Sequence, residues 1–546
     1  MYNQILSSIN DFINNDLSFD PDQKKTLLNK HKLTLTDSLQ KGHWTTNICL
    51  IASNLAKKNP QDIASALIPI LESQSEIAKV ELAGPGFINI FLTREAFLAQ
   101  LDNAHDDPAY FLNSSDTSKE KIQIEFVSAN PTGLLHLGHL RNAAVGDSLA
   151  RILEFDGYEI EKEYYINDYG NQIRLLGESL NIRIANILGD ELEMPKDGYQ
   201  GEYLKEIAQN FIDDKLDTKH SKNVEFLSSY AKEKLLNEIK NDLHLIDITF
   251  NNWFSETSEV HDTKLLDDTL KNLRDLNVTY SKDDAEWIKT SEYGDNDDWV
   301  IIKQDKSTTY FLNDIAYHRN KFSRGYSRII NVWGADHHSH VSRLNAAMKS
   351  LGFDNNKLQF VMIQFVRLLR DGQDISMSKR SGEYTTIRDL LAEVNKDVVR
   401  FIMVMRSSDS HFDFDLGKCL EDSDDNPVFY IQYANARISS IIQKTNISDY
   451  DLSKTKYLIN EKEILLIKKI ISFKEIVEES SKTMSPHKIS FYLQDLARDF
   501  HSYYKSVKIL DENPSILEAR LILILVVKEI LINGLKLLGA SSPENM

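Results

Sequence analysis

Two histidines, His136 and His139, stand three residues apart around Gly138. They follow Asn130-Pro131-Thr132-Gly133, a turn with φ fixed at the proline and free at the glycine. Ahead of the turn, Ile122, Ile124 and Phe126 alternate with Gln123 and Glu125, as in a strand. Behind it, Leu140 to Leu153 reads as a helix. Strand, glycine turn and helix N-terminus together hold an anion, because free N–H groups and the positive end of the helix dipole converge on it. Imidazoles at i and i+3 share one helix face and can reach one ligand. A plain βα unit with two surface histidines would share part of this pattern; the full order of parts favours a phosphate site.

Other chemistry-bearing stretches lie further on. Ile329 to Trp333 reads as a buried strand running into Gly334-Ala335-Asp336-His337-His338-Ser339-His340. An acid and three histidines invite a metal, yet no other ligand cluster lies nearby. A second nucleotide edge fits better, with Asp336 accepting from ribose hydroxyls; His337 and His340 could be ligands, capping groups or surface residues. The stretch Ile375-Ser376-Met377-Ser378-Lys379-Arg380-Ser381-Gly382 reads as a polar loop carrying two cations.

Positioning these groups requires a layered α/β body. Tyr158 to Ile166 reads as a second strand, ending in Asn167-Asp168-Tyr169-Gly170-Asn171-Gln172, polar groups at the edge where open α/β sheets bind ligands. The sheet is expected to resume at Trp299 to Lys303 and Thr308 to Leu312, then at Ile329 to Trp333, with Phe360 to Leu369 as its last strand. Residues 181 to about 270 read as mostly helical, an insertion between the halves of the sheet. Before this body, Tyr2 to Asn14 and Trp44 to Lys58 have helical periodicity, and Lys79 to Leu92 reads as two strands around Gly84-Pro85-Gly86. After it come long amphipathic helices, among them Pro427 to Gln443 with Tyr430 and Tyr433 on one face, and Ser515 to Leu538 stopped by Gly539. The expected fold is a Rossmann-type α/β parallel-sheet domain over 113–410, with a helical insertion at about 181–285. An N-terminal α+β domain (1–112) precedes it and an all-α bundle (427–546) follows.

At 546 residues the chain is too long for one core. Its net charge of −19 argues against generic nucleic-acid binding. The segment from Pro427 carries 16 Lys+Arg and 14 Asp+Glu, a net of +2, so the remainder carries −21. A near-neutral segment of that kind can still bind RNA through local basic patches. Two cysteines, Cys49 and Cys419, build neither a disulfide framework nor a four-cysteine zinc site, so a reducing compartment and no zinc are expected. No signal peptide is visible at Met1-Tyr2-Asn3-Gln4-Ile5, and the apolar run Leu521 to Val527 is too short for a bilayer, so no membrane partner is expected.

The sequence His136-Leu137-Gly138-His139 resembles the HIGH signature of class I aminoacyl-tRNA synthetases, and Ala129-Asn130-Pro131-Thr132-Gly133 resembles the form found in arginyl-tRNA synthetases. The loop at Met377-Ser378-Lys379 is similar to the family's KMSKS loop, with Ser376 at the first lysine. This resemblance implies a cytoplasmic, monomeric ATP-dependent ligase that uses Mg²⁺ with ATP, activates L-arginine as an adenylate and transfers it to tRNA. It implies that His136, His139 and Lys379 are catalytic. ATP would meet Asn130, Thr132, Gly133, His136, Gly138, His139, Asp336, Met377, Ser378 and Lys379. A guanidinium wants carboxylates in a planar fork; the resemblance places Glu125, Ser128, Asn130, Tyr310, Asp314 and Tyr317 around arginine. It places Phe87 and Asn89 at the tRNA elbow, and Tyr430, Tyr433, Tyr504 and Met546 around splayed anticodon bases. Another class I synthetase, or a non-catalytic tRNA-binding paralogue, is the alternative.

Overall fold

Five parallel strands form the central sheet: β1 (Lys121–Glu125), β2 (Glu159–Ile166), β3 (Asn252–Ser255), β4 (Arg328–Gly334) and β5 (Leu358–Ile363). Their spatial order is β5-β4-β1-β2-β3, every pairing parallel. The computed structural model describes residues 1–546 except 16–18, 37, 108, 113–119, 215–222, 371, 375–384, 421–425, 446 and 512. The chain leaves β1 toward β2 on one side and returns to β4 on the other. The crevice between β1 and β4 is thus the topological switch point, where such sheets bind ligands.

Helix α1 (Leu137–Phe155) follows β1 and is buried around most of its circumference. Gly146 lets it approach the strand: a Cβ there would lie 2.3 Å from the buried ring of Phe126. Gly146→Ala is therefore expected to lower the thermal unfolding midpoint and cost about 1–3 kcal/mol, the usual penalty of overpacking. Below the site, fully buried Asp147 of α1 is held by Arg400 at 2.7 Å, Arg151 at 2.7 Å and Lys162 at 3.2 Å. Burial alone would raise this carboxyl; the three cations bring it down to about 2. Arg400 also donates to the Ile246 and Leu538 carbonyls, tying α1 to the last turn of the chain's final long helix. Gly539, at φ +71°, leaves room for that guanidinium, since a Cβ would lie 2.1 Å from its carbon.

Several elements differ from the sequence expectation. Thr308 to Leu312 is not a strand. Thr309 accepts from the Leu312 amide as an N-cap and opens α2 (Tyr310–Ser323), so capping wins over β-propensity. Trp299–Ile302 is a strand, but it pairs antiparallel with Ala285–Ile288 in a separate three-stranded sheet. Phe360 to Leu369 is broken at Gln364-Phe365 into β5 and the strand Val366–Arg370, because the Gln364 amide turns aside to the Ser408 carbonyl and its own carbonyl accepts from Arg141. The region read as an insertion holds helices Glu202–Asp213 and Val224–Leu245, but also supplies β3 to the main sheet. Trp44–Thr46 is a strand before the helix Ile48–Ala56. Helix α3 (His338–Ser350) follows β4.

The N-terminal domain carries a four-stranded antiparallel sheet, in which Ile77–Ala83 and Phe87–Leu92 are the two strands expected around the glycine turn. Four long helices build the C-terminal bundle: α4 (Pro427–Gln443), α5 (Glu461–Thr483), α6 (His487–Ser506) and α7 (Pro514–Leu537). Among the described residues no helix is long and apolar enough to cross a membrane. Cys49 and Cys419 are buried free thiols.

The N-terminal domain packs on α5 through Trp44, whose indole donates to Glu475 at 3.0 Å. Burial, with Glu478 and Glu479 adding to it, pushes the Glu475 carboxyl up to about 8. A raised acid is held neutral when folded, so the fold binds the extra proton and loses stability as pH rises from the ordinary carboxyl range through about 8. Glu475→Gln keeps the acceptor without the charge. The variant is expected to gain on wild type between about pH 5 and pH 9, by on the order of 2 kcal/mol, in paired thermal or urea unfolding series.

Candidate active site

The chain leaves β1 through a strained bend. Val127 and Ser128 have φ of +65° and +41°, conformations that L side chains rarely adopt and a β-branched residue least of all. Surrounding bonds over-determine it. The Val127 amide donates to Asn142 Oδ1 at 2.6 Å, and Asn142 Nδ2 donates to the Val332 carbonyl at 2.9 Å, fastening the bend to β4. Ser128 Oγ donates to Glu125 Oε1 at 2.9 Å and accepts from the Tyr165 amide at 3.0 Å. Asn130 donates to Gln172 at 2.8 Å, and the Tyr203 hydroxyl donates to the Thr132 carbonyl at 2.8 Å. The turn is thereby pinned on both flanks.

His136 is the N-cap of α1. Its Nδ1 accepts from the Gly138 amide at 3.1 Å, while its own amide donates to His139 Nδ1 at 3.2 Å. The two rings stack with centroids 3.8 Å apart. Gly138 is exposed, and a Cβ on it would lie 3.1 Å from the His136 ring. Thr386 pairs with His136 as an isolated bridge, and the Ile387 amide donates to the Leu135 carbonyl. Met377, Ser378 and Lys379, and their neighbours Ser376 and Arg380, lie outside the described residues.

Helix α2 brings the remaining polar groups to the same edge. Tyr310, at its first turn, is 63% exposed. Asp314, one turn on, is paired through Oδ2 with His340 Nε2 at 2.8 Å, so α2 meets α3 beside the end of β4. Tyr317, a further turn along, is buried. Its hydroxyl lies 3.1 Å from Glu125 Oε2 and 2.7 Å from Glu163 Oε1. With one proton it donates to one carboxylate at a time; burial first, and then those two charges, raise it far above an ordinary phenol. Asp336 follows β4 with its carboxylate exposed, 3.7 Å from His337. Among the described residues no group of three His, Cys, Asp or Glu is placed to hold a metal.

Comparison with known proteins bears on this arrangement. The family model "tRNA synthetases class I (R), catalytic domain" matches residues 106–410, more than half of the chain. "Arginyl tRNA synthetase N terminal domain" matches 3–92, and "DALR anticodon binding domain" matches 431–546. The Arginine--tRNA ligase of Desulfosudis oleivorans is 41% identical over 522 residues, 92% of this chain and 93% of that protein. The chain belongs to the arginyl-tRNA synthetase family. A Staphylococcus aureus Arginine--tRNA ligase is 39% identical over 523 residues, 94% of each chain. The fold is that of Thermus thermophilus arginyl-tRNA synthetase, with a TM-score of 0.77 at 21% identity, covering 94% of this chain and 96% of that one.

This synthetase also carries candidate residues away from the edge of the central sheet. Phe87 is exposed at the start of its strand, but Asn89 is 7% exposed, so only Phe87 is offered to a partner there. In the C-terminal bundle Tyr433 and Tyr504 are 41% and 40% exposed. The guanidinium of Arg437 lies over both rings, at 4.3 Å and 4.6 Å. His501 sits beneath, 4.6 Å from the half-buried Tyr430 ring. The C-terminal tail lies along α4, where Asn435 donates to the Pro543 carbonyl at 2.7 Å; Met546 ends it, exposed. The sequence reading missed Arg437 and His501. Arg437 stands four residues after Tyr433, so its spacing was a usable signal. It also missed Asn142, Glu163, Lys321 and Arg324 around the site, which only the packing reveals.

Proposed function

We infer that this chain attaches arginine to tRNA at the expense of ATP. The arginine carboxylate attacks the α-phosphorus, pyrophosphate leaves, and the 2′-hydroxyl of the terminal adenosine then takes the aminoacyl group as AMP departs. No protein nucleophile is needed; catalysis is positioning and stabilisation of phosphate charge. Mg²⁺ arrives with ATP. His136 and His139 meet the phosphates at the N-terminus of α1, with Thr132, Gly133 and Gly138 lining the approach and Asp336 taking the ribose. Met377, Ser378 and Lys379 act on the leaving pyrophosphate. Asn130 and Ser128 hold the amino-acid end, while Tyr310, Asp314, Tyr317 and Glu125 surround the guanidinium. Phe87 contacts the tRNA elbow; Tyr430, Tyr433, Tyr504 and Met546 take anticodon bases by stacking. The enzyme works as a cytoplasmic monomer.

The observation that carries this reading is the pair of ties Tyr317–Glu125 and His340–Asp314. They draw the guanidinium-binding candidates of α2 onto the end of β1 and onto α3, the helix that follows β4, at the switch point between those strands and beside the histidine-capped helix. ATP–pyrophosphate exchange with each of the amino acids, with and without total tRNA, tests it. Arginine alone should give signal; a signal from another amino acid, or none from arginine, overturns the substrate.

A further inference from the structure

Helix α2 and its C-cap carry one stripe of five polar residues, Tyr310, Asp314, Tyr317 and Lys321 with Arg324 at the cap, at the i, i+4, i+7 spacing of a single face. The stripe runs from substrate edge to interior: Tyr310 is 63% exposed, Tyr317 2% and Lys321 0%. It lies against a pair of carboxylates that ought to repel each other. Glu125 on β1 and Glu163 on β2 are direct partners in the parallel register, and both are buried. The stripe answers each with a cation one turn apart. Lys321 Nζ lies 2.5 Å from Glu125 Oε2 and donates to Asn331 Oδ1 at 2.7 Å. Arg324 clasps Glu163 through NH1 and NH2, at 2.5 Å and 2.9 Å. Gln123 and Asn252 complete Glu163 at 3.0 Å and 2.6 Å. His318, fully buried beside Lys321, is held neutral by burial and by that ammonium, and its Nε2 lies 2.9 Å from Asn331 Nδ2.

Counted together, Glu125, Glu163, Lys321 and Arg324 cancel. Asp314 is then the carboxylate of the stripe that no cation of the floor neutralises, and His340 is its neighbour. We propose that Lys321 is a positioning residue for arginine: it cancels the charge of Glu125 and fixes its orientation, so that of the stripe and its two carboxylate partners only Asp314 presents a negative charge to the guanidinium. This rests on the assignment of the site to arginine. Glu125 still offers Oε1, already oriented by Ser128, as a hydrogen-bond acceptor. It does not act as a second free anion. A pocket with two free anions would bind its cation with a counterion to spare, and one with an unpaired buried ammonium would repel it.

The test is a double-mutant cycle on the full-length enzyme in tRNA-supported ATP–pyrophosphate exchange, using Glu125→Gln, Lys321→Met and both together. Glu125→Gln leaves the Lys321 ammonium unpaired against the guanidinium and should raise KM for arginine about 10²-fold, whereas Lys321→Met leaves Glu125 as a second free anion and should not raise it; KM for ATP should stay within a few-fold in both. The charge-neutral double variant should return to within about tenfold of wild type. Lys321→Arg keeps the charge and should stay within several-fold, which covers the case in which Lys321→Met does not fold. Single effects that multiply in the double variant, or a KM for ATP that rises in step with that for arginine, overturn the proposal and leave Lys321 a structural residue. A wild-type enzyme that does not activate arginine overturns the assignment of the site itself, and this proposal with it.

Discussion

His136→Ala is expected to lower kcat for arginine activation by about 10²–10³-fold, the loss that follows removal of one preorganised donor to developing charge. Two effects are superposed in that variant. His136 accepts from the Gly138 amide as the cap of α1, so alanine also removes a cap worth about 1 kcal/mol. Its ring is stacked on His139 at 3.8 Å, so losing it also removes the stacking partner of the second imidazole. His136→Asn separates the two. An asparagine oxygen can cap the helix but is too short to replace the imidazole at the phosphates. The asparagine variant should therefore melt near wild type and remain as inactive as the alanine one. Recovery of activity together with stability would assign His136 to capping alone, and a loss under tenfold in both variants would take it out of the chemistry.

The part of the site that could be read directly from sequence is the part built from neighbours. The strand alternation of Ile122, Ile124 and Phe126, the Pro131–Gly133 turn and the helix behind them are local signals, and β1 and α1 form where they point. Helix α4 has the bounds Pro427–Gln443 that its periodicity and Pro at N1 indicate. What was not legible depends on contacts between distant residues. Thr308 to Leu312 has strand-like composition, yet a cap at Thr309 and packing of the α2 stripe decide for helix. Val127 and Ser128 contain no glycine to announce positive φ; the conformation exists because Asn142 reaches across from α1 to hold it. Glu125 was legible as a carboxylate at the right strand end. That Lys321, 196 residues later, neutralises it was not, since nothing local distinguishes a buried lysine from a solvated one. The stripe spacing of α2 was present in the sequence throughout, but read as a strand its first residues pointed to alternate faces.

Asp314→Asn is expected to raise KM for arginine by about 10²–10³-fold while kcat falls less than tenfold, because the substitution removes a charge-assisted contact made equally in ground and transition states. The side chain keeps its size and one acceptor, so the effect isolates charge. Stability should change little, by about 1 kcal/mol or less, since Asp314 is a third exposed and its contact with His340 is near the surface. That contrast separates Asp314 from Glu125, where loss of charge strands a fully buried ammonium. Asp314→Glu keeps the charge but moves it by one methylene, and should lie between, with KM raised about tenfold. KM for ATP should stay within threefold in all three enzymes, because the proposed phosphate contacts lie at α1 and not at α2. An asparagine variant with wild-type KM for arginine would mean that the guanidinium is held elsewhere. The exposed face of Tyr310, which opens toward Trp299 and Arg343, would then be the place to look.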